Sequence, residues 1–242
     1  MTEPARSFDL AAEEYERTRP SYPTQVLDPL PLAAGAEVLD VGAGTGKLTR
    51  VLVERYARVV AVEPLDRMRA ILARVVPEAE ARPGRAEELP LADASVDGVF
   101  AGQAFHWFAN DEAVAEIARV LRPGGVLCLV WNGPDESRAN PLPAPYLAYL
   151  EMLRAERSVL ADTPPFAEVI ARGPFGDVHE ATVAHDHVLD RAGLLDNARS
   201  VSWIASRPDR ERAAVLTRLG ELLPEGTYVV PNLANVLWAV RE

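Results

Sequence analysis

Three glycines at alternate positions, Gly42, Gly44 and Gly46, follow an apolar run in which Asp40 is the one charged residue. In the stretch VLDVGAGTGKLTRVL the apolar spacing then changes to Leu48, Val51 and Leu52, which is a helical interval. A buried strand that turns sharply into a helix presents backbone N–H groups and a positive dipole end to a ligand. Glycine lets the chain turn tightly and lets a ligand approach the main chain. The segment therefore reads as the holder of a small ligand. A dinucleotide fingerprint, Gly-x-Gly-x-x-Gly, would need glycine where Lys47 stands. Asp40, just ahead of the loop, would repel a pyrophosphate and suits a cationic ligand. Glu63 closes the next apolar run, RVVAV, about 20 residues on, where a carboxylate can accept two hydrogen bonds from ribose hydroxyls. An adenosyl group with a positive charge fits both carboxylates, which points to S-adenosylmethionine.

Other residue types carry less chemistry. His106 is the one histidine near this site and is the candidate general base, provided that the nucleophile has a proton to lose. A carboxylate would attack as it stands, and His106 would then shape the pocket. Methyl transfer from a sulfonium needs reacting atoms held in line and water excluded, without a metal or a covalent intermediate. His185 and His187 share one face of an alternating segment, but no second ligand cluster accompanies them, so no metal site is expected. Cys128, the sole cysteine, lies inside GGVLCLVWN and reads as a buried, inert thiol. Phe105, Trp107 and Phe108 suit either plain packing or a lid. Tyr15, Arg19 and Tyr22, ahead of the first strand, could fold over the open ligand edge, with Arg19 as an anion anchor.

The elements that position these residues alternate. Short helices are expected over 9–18 and 24–31, separated by the elbow RPSYP. Strands at 36–41, 58–62, 79–82, 96–101 and 125–131 interleave with helices at 46–56, 66–75 and 111–121. This pattern predicts a mostly parallel sheet covered on both faces. After Asn132 come a loop, helices over 146–161 and 164–172, a strand within 175–189, a helix over 208–223 and a closing strand at 235–241.

With these residues in view, the chain resembles the class I S-adenosylmethionine-dependent methyltransferases of the methyltransferase-11 group. VLDVGAGTG, VVAVEP, GRAEELPLADASVDGVF, AFHWF and ARVLRPGGVLCLVW occur in order and at the usual spacing. FDLAAEEYERTRPSYP and HWF resemble the trans-aconitate methyltransferase-like branch, whose members methylate small acids. The resemblance covers residues 8–131 well and the C-terminal third loosely. It implies a Rossmann-like, seven-stranded sheet in one domain, with an N-terminal cap over 1–34, a cofactor-binding core over 35–131, and a substrate-side insertion and sheet completion over 132–242. It also implies that Gly42 and Gly44 cradle the methionine end and that Glu63 holds the ribose. Met68 would lie against the adenine ring, unless it is an ordinary core methionine. Ala86 would offer backbone, and Glu87 a side chain, to the adenine edge, while Gln103 would pass the methionine moiety. Trp107 and the N-terminal Tyr15, Arg19 and Tyr22 would line the substrate side.

Composition narrows the remaining classes. A chain of 242 residues with 48% hydrophobic and 25% charged residues is ordinary for a globular protein. The net charge of −11 argues against a general nucleic-acid binder, which needs clustered Lys and Arg. A small-molecule acceptor is expected. The opening MTEPARSFDL lacks a signal pattern and no run approaches the ~20 apolar residues of a membrane span, so a cytoplasmic protein without a membrane partner is expected. Two other readings stay open: an NAD-dependent oxidoreductase, which the glycine spacing disfavours, and a non-catalytic partner with this fold. Oligomeric state is left open by the sequence.

Overall fold

The computed structural model describes residues 12–156 and 165–242. The expected helices over 9–18, 146–161 and 164–172 each extend partly outside those residues, and the stretch ahead of Ala12 lies wholly outside them.

The strands β1 (Glu37–Val41), β2 (Arg58–Val62), β3 (Glu80–Arg82), β4 (Val96–Gly102), β5 (Leu121–Pro134), β6 (His179–Asp190) and β7 (Thr227–Val240) form one sheet, ordered β3-β2-β1-β4-β5-β7-β6. β1 pairs in parallel with β2 and β4, β2 with β3, and β4 with β5. Gly124 and Arg241 hydrogen-bond between the start of β5 and the end of β7, and Phe175 bridges Arg241 antiparallel, so β7 runs against its neighbours. The sheet is mixed and mostly parallel. β1 and β2 are apolar on both faces: Leu39, Val41, Val60 and Val62 enter one core cluster, Val38, Val59 and Ala61 the other. That two-sided burial selects the β-branched runs.

Helix α1 (Ala12–Thr18) precedes the sheet; α2 (Lys47–Arg55), α3 (Asp66–Val75) and α4 (Asp111–Val120) lie between its strands. α2 buries Leu48, Val51 and Leu52, the helical interval of the sequence. α4 begins at Asn110, whose side chain accepts from the Ala113 amide, and carries Asp111 and Glu112 in its first turn and Arg119 in its last. Later come α5 (Ala144–Glu156), α6 (Phe166–Ile170), α7 (Arg191–Ser200), α8 (Ser202–Ala205) and α9 (Asp209–Leu222).

Several elements differ from expectation, among them α8, which was not expected, and β5, which outruns 125–131 at both ends. Residues 24–31 make only a 3-10 turn, Thr24–Leu27, because Pro29 and Pro31 remove amide donors that a helix would need. β7 starts at Thr227 rather than 235, running on through Pro231. α7 was not foreseen: its apolar stripe is narrow, with Leu194, Ala198 and Ser200 as its buried residues.

The described residues form two compact units. The core unit comprises 21–133, 165–183 and 233–242; the helical unit comprises 12–20, 134–156 and 184–232. In the helical unit, Tyr146, Leu153, Leu194, Ile204, Val215 and Leu219 make a separate apolar cluster. No helix among the described residues is long and apolar enough to cross a membrane.

Candidate active site

β1 is the switch point of the sheet. The chain moves outward from it to β2 and β3, then returns on its other side as β4. Open α/β sheets take ligands at the carboxyl ends of strands beside such a point. The glycine loop leaves β1 there and is pinned to the end of β2, where the Val62 carbonyl accepts from the amides of Gly42 (2.8 Å) and Ala43 (3.1 Å).

The three glycines answer different needs. Gly42 has φ +67°, and a Cβ there would stand 2.8 Å from the Ala104 Cβ, so the segment after β4 leaves no room for one. Gly46 backs onto α3, where a Cβ would meet Leu72 at 2.7 Å and Val76 at 2.9 Å. It thus serves helix packing although it is one residue short of the dinucleotide spacing. Gly44, with φ +57°, is crowded by nothing: its nearest neighbour would be Met68 Sδ at 3.8 Å. The loop is open at Gly44 and closed on either side.

Two carboxylates flank this opening. Glu63, 4% exposed, accepts from the Gly44 amide through Oε2 (2.8 Å) and from the Leu65 amide through Oε1 (2.9 Å). The Arg69 guanidinium donates to the Glu63 carbonyl (2.9 Å) and so fixes the turn after β2. Asp40 is wholly buried. Its Oδ2 accepts from Thr49 Oγ1 at 2.7 Å, while its Oδ1, like the neighbouring Thr45 Oγ1, has no hydrogen-bond partner among the described residues. Burial pushes the Asp40 carboxyl up to about 7; Thr49 opposes that shift and the Glu63 charge adds to it.

Met68 and Ala86 are both buried beside this edge. Glu87 is half-buried in the loop after β3; its Oε1 accepts from Asn110 Nδ2 at 3.3 Å, and Arg85 Nε lies 3.5 Å from its Oε2. Gln103, at the end of β4, has φ +54°, an uncommon conformation for a residue with a side chain. Its amide donates to the Val130 carbonyl (2.8 Å) and its side chain to the Asn132 carbonyl (3.2 Å).

After β4 the chain makes a 3-10 turn, Phe105–Trp107. Phe105 and Phe108 are buried and stack edge-on with each other, and Phe105 does so with Phe166. Trp107 is exposed and lies 4.7 Å from the His106 ring. Burial pushes the His106 imidazole down to about 4, so the ring is neutral at ordinary pH. The Tyr22 ring is buried in the core unit, with its hydroxyl 3.1 Å from where a Gly102 Cβ would stand.

Tyr15 and Arg19 belong to the helical unit. There Arg19 donates to the Ser200 hydroxyl and carbonyl, both at 3.0 Å, and lies over the Tyr15 ring. The core unit buries Cys128 completely, which pushes its thiol pKa up and leaves it inert, as the sequence implied. No metal-holding group of three or more His, Cys, Asp or Glu occurs among the described residues.

Thr45, Thr49, Arg69 and Asn110 escaped the sequence reading. Asn110 did carry a signal, since Asn followed by two acidic residues opens many helices. Its second contact, to Glu87, carried none.

Comparison with known proteins points to a methyltransferase. The model of a family described as a methyltransferase domain matches residues 39–129. An uncharacterised methyltransferase of Mycobacterium tuberculosis is 42% identical over 231 residues, covering 95% of this chain and 88% of that protein. A malonyl-[acyl-carrier protein] O-methyltransferase of Methylococcus capsulatus is 43% identical over 98 residues, covering 38% of this chain and 36% of that protein. Among solved structures, a putative type II methyltransferase of Anaeromyxobacter dehalogenans is 26% identical. It covers 92% of this chain and 97% of its own, with a TM-score of 0.62.

Proposed function

We propose that this chain, which belongs to the class I S-adenosylmethionine-dependent methyltransferases, methylates a small-molecule acceptor and that this acceptor is a carboxylic acid. His106 carries the choice of acceptor. It is the one histidine in the turn after β4, and its ring is desolvated, with a pKa near 4. An imidazole that reluctant to take a proton is a poor general base for a phenol or an amine. A carboxylate nucleophile has no proton to lose. The partial relative that methylates malonyl-[acyl-carrier protein] on oxygen is consistent with that class.

The residues at the strand ends fit the family's cofactor. S-adenosylmethionine supplies a methyl group made electrophilic by its sulfonium. The uncrowded Gly44 leaves room for a ligand against the main chain, and the orphaned Asp40 Oδ1 marks a place where a positive charge would be welcome. Glu63 would hold the ribose, while its bonds to Gly44 and Leu65 keep the loop in register. Met68 would flank the adenine ring; Ala86 and Glu87 would meet its edge. Gln103, held in its left-handed conformation by two hydrogen bonds, would face the methionine moiety. The aromatic turn around His106 would exclude water from the reacting atoms.

The test is a screen of small carboxylic acids, phenols and amines with methyl-labelled S-adenosylmethionine. Alkali-labile methyl esters are the expected products. A phenol or amine acceptor, together with a thousandfold loss in His106→Asn, would overturn the carboxylate reading and make His106 the base.

A further inference from the structure

Helix α4 grips the loop between β3 and β4 at three points. Glu116 Oε2 accepts from the Leu89 amide (3.0 Å), and the Arg119 guanidinium donates to the carbonyls of Leu89 (3.2 Å) and Leu91 (2.9 Å). The third point is Asn110, the N-cap, which alone of the three reaches the side chain of Glu87.

The chemistry of the cap fixes which way the Asn110 amide faces. Oδ1 accepts from the Ala113 amide at 2.8 Å, so the NH2 end must be the one aimed at Glu87 Oε1. Reversal would set donor against donor at Ala113 and acceptor against acceptor at Glu87. The other neighbour of Glu87, Arg85, is 59% exposed at 3.5 Å, a geometry in which ion pairs do little. Asn110 thus restrains one oxygen of Glu87 with a neutral donor and leaves the carboxylate able to accept from a ligand.

We infer that Asn110 is a positioning residue for adenine recognition: by capping α4 it aims its NH2 at Glu87 and presents that carboxylate to the exocyclic amino group of the cofactor. This rests on the proposed placement of Glu87 at the adenine edge. It makes a specificity statement, because a purine with a carbonyl in place of that amino group would set oxygen against oxygen.

The measurement is calorimetric titration of the whole chain with S-adenosylhomocysteine and S-inosylhomocysteine. Wild type should prefer the adenosyl ligand by about tenfold or more, the range of a hydrogen bond to a charged group. Asn110→Asp caps a helix as well as asparagine does, but sets a second carboxylate beside Glu87. It should bind the adenosyl ligand about tenfold more weakly and lose most of the preference, with its melting temperature nearly unchanged. If Asn110→Asp melts several degrees lower, Asn110→Ser, which caps without adding charge, gives the same readout. Loss of preference supports the inference and retention overturns it. Glu87→Gln separates the layers. Preference lost in Glu87→Gln but kept in both Asn110 variants overturns the positioning role alone. Preference kept in all variants removes Glu87 from the adenine edge, and the inference falls with it. Absence of adenosylhomocysteine binding by wild type overturns the cofactor placement beneath both.

Discussion

Around the amino ends of β1, β2, β4 and β5, charged side chains are partly exposed and paired in a chain. Arg122 meets Asp97 (2.6 Å) and Glu37 (3.1 Å), Arg58 meets Glu37 (3.8 Å) and Glu80 (3.0 Å), and Glu80 meets Arg82 (2.6 Å). A cavity of about 180 Å³ opens there, lined by Glu37, Arg58, Arg82 and Ser95 among others, but those charges already answer one another. At the carboxyl end of β1, Asp40 is wholly buried and its Oδ1 is unanswered among the described residues. A buried polar atom without a partner costs about 1–3 kcal/mol. One such atom, Arg241 Nε, lies by the start of β5, whereas two, Asp40 Oδ1 and Thr45 Oγ1, belong to the strand end and the loop that would meet the ligand.

The largest expected effect is at Gly44. Valine there must adopt φ +57° and would put two methyls in the one open stretch of the loop. Gly44→Val should reduce S-adenosylhomocysteine binding by more than a hundredfold in calorimetry. Retained binding would place the ligand elsewhere and dissolve the contrast between the edges.

Glu63→Ala comes next. Loss of charged hydrogen bonds to ribose should cost about 1.5–3 kcal/mol, or roughly ten- to over a hundredfold in affinity. Sequence alone leads one to expect unchanged stability without ligand. The bonds to the Gly44 and Leu65 amides change that expectation, and the ligand-free variant should melt several degrees lower. Unaltered affinity would move the ribose away from β2.

Asp40 tests the burial argument through pH. Its carboxyl is pushed up to about 7 in the folded chain, against 3.8 when free. The folded chain holds a proton that the unfolded chain releases, so this group's contribution to stability falls as pH rises from about 4 to about 7. Asp40→Asn removes that slope. Between pH 5 and pH 8 its melting temperature should gain a few degrees on that of wild type. Parallel curves would mean that the site is wetter than its burial implies.

His106 should have a smaller effect. Its lowered pKa keeps it neutral from pH 5.5 to 9, so single-turnover methyl transfer by wild type and by His106→Asn should show the same pH dependence across that range. His106→Asn should cost less than about tenfold, far below the 10²–10⁴ of a general base. In the unfolded chain this histidine takes up a proton as pH drops below 6.5, and in the folded chain only near 4, so its contribution to stability is lost across that window.

Arg122→Ala, among the paired charges at the amino ends, should do least. It removes exposed pairs worth less than about 1 kcal/mol and should leave ligand affinity unchanged. A marked loss of affinity would show that the two edges are coupled.

How much of this was legible in the sequence depends on chain distance. The glycine loop, β1, β2 and α2 follow from a short stretch in which period, charge and glycine spacing agree. The position of Glu63 followed from the strand that it closes. The hydrogen bond from Thr49 to Asp40 reaches from the end of β1 across the glycine loop into the first turn of α2, and nothing in composition singles Thr49 out. Asn110 and Glu87 are separated by all of β4, so only the sheet order brings them together. α7 was illegible because RAGLLDNARS has Gly193 in its first turn and a narrow apolar face. The 24–31 helix was overread because its apolar spacing outweighed two prolines.

The central claim is that the partly answered edge holds an adenosyl ligand. Calorimetric titration of the wild-type chain with S-adenosylhomocysteine, and separately with NAD, tests it most directly. The account predicts saturable binding of S-adenosylhomocysteine at one site per chain and no heat from NAD. Saturable NAD binding without S-adenosylhomocysteine binding would contradict it.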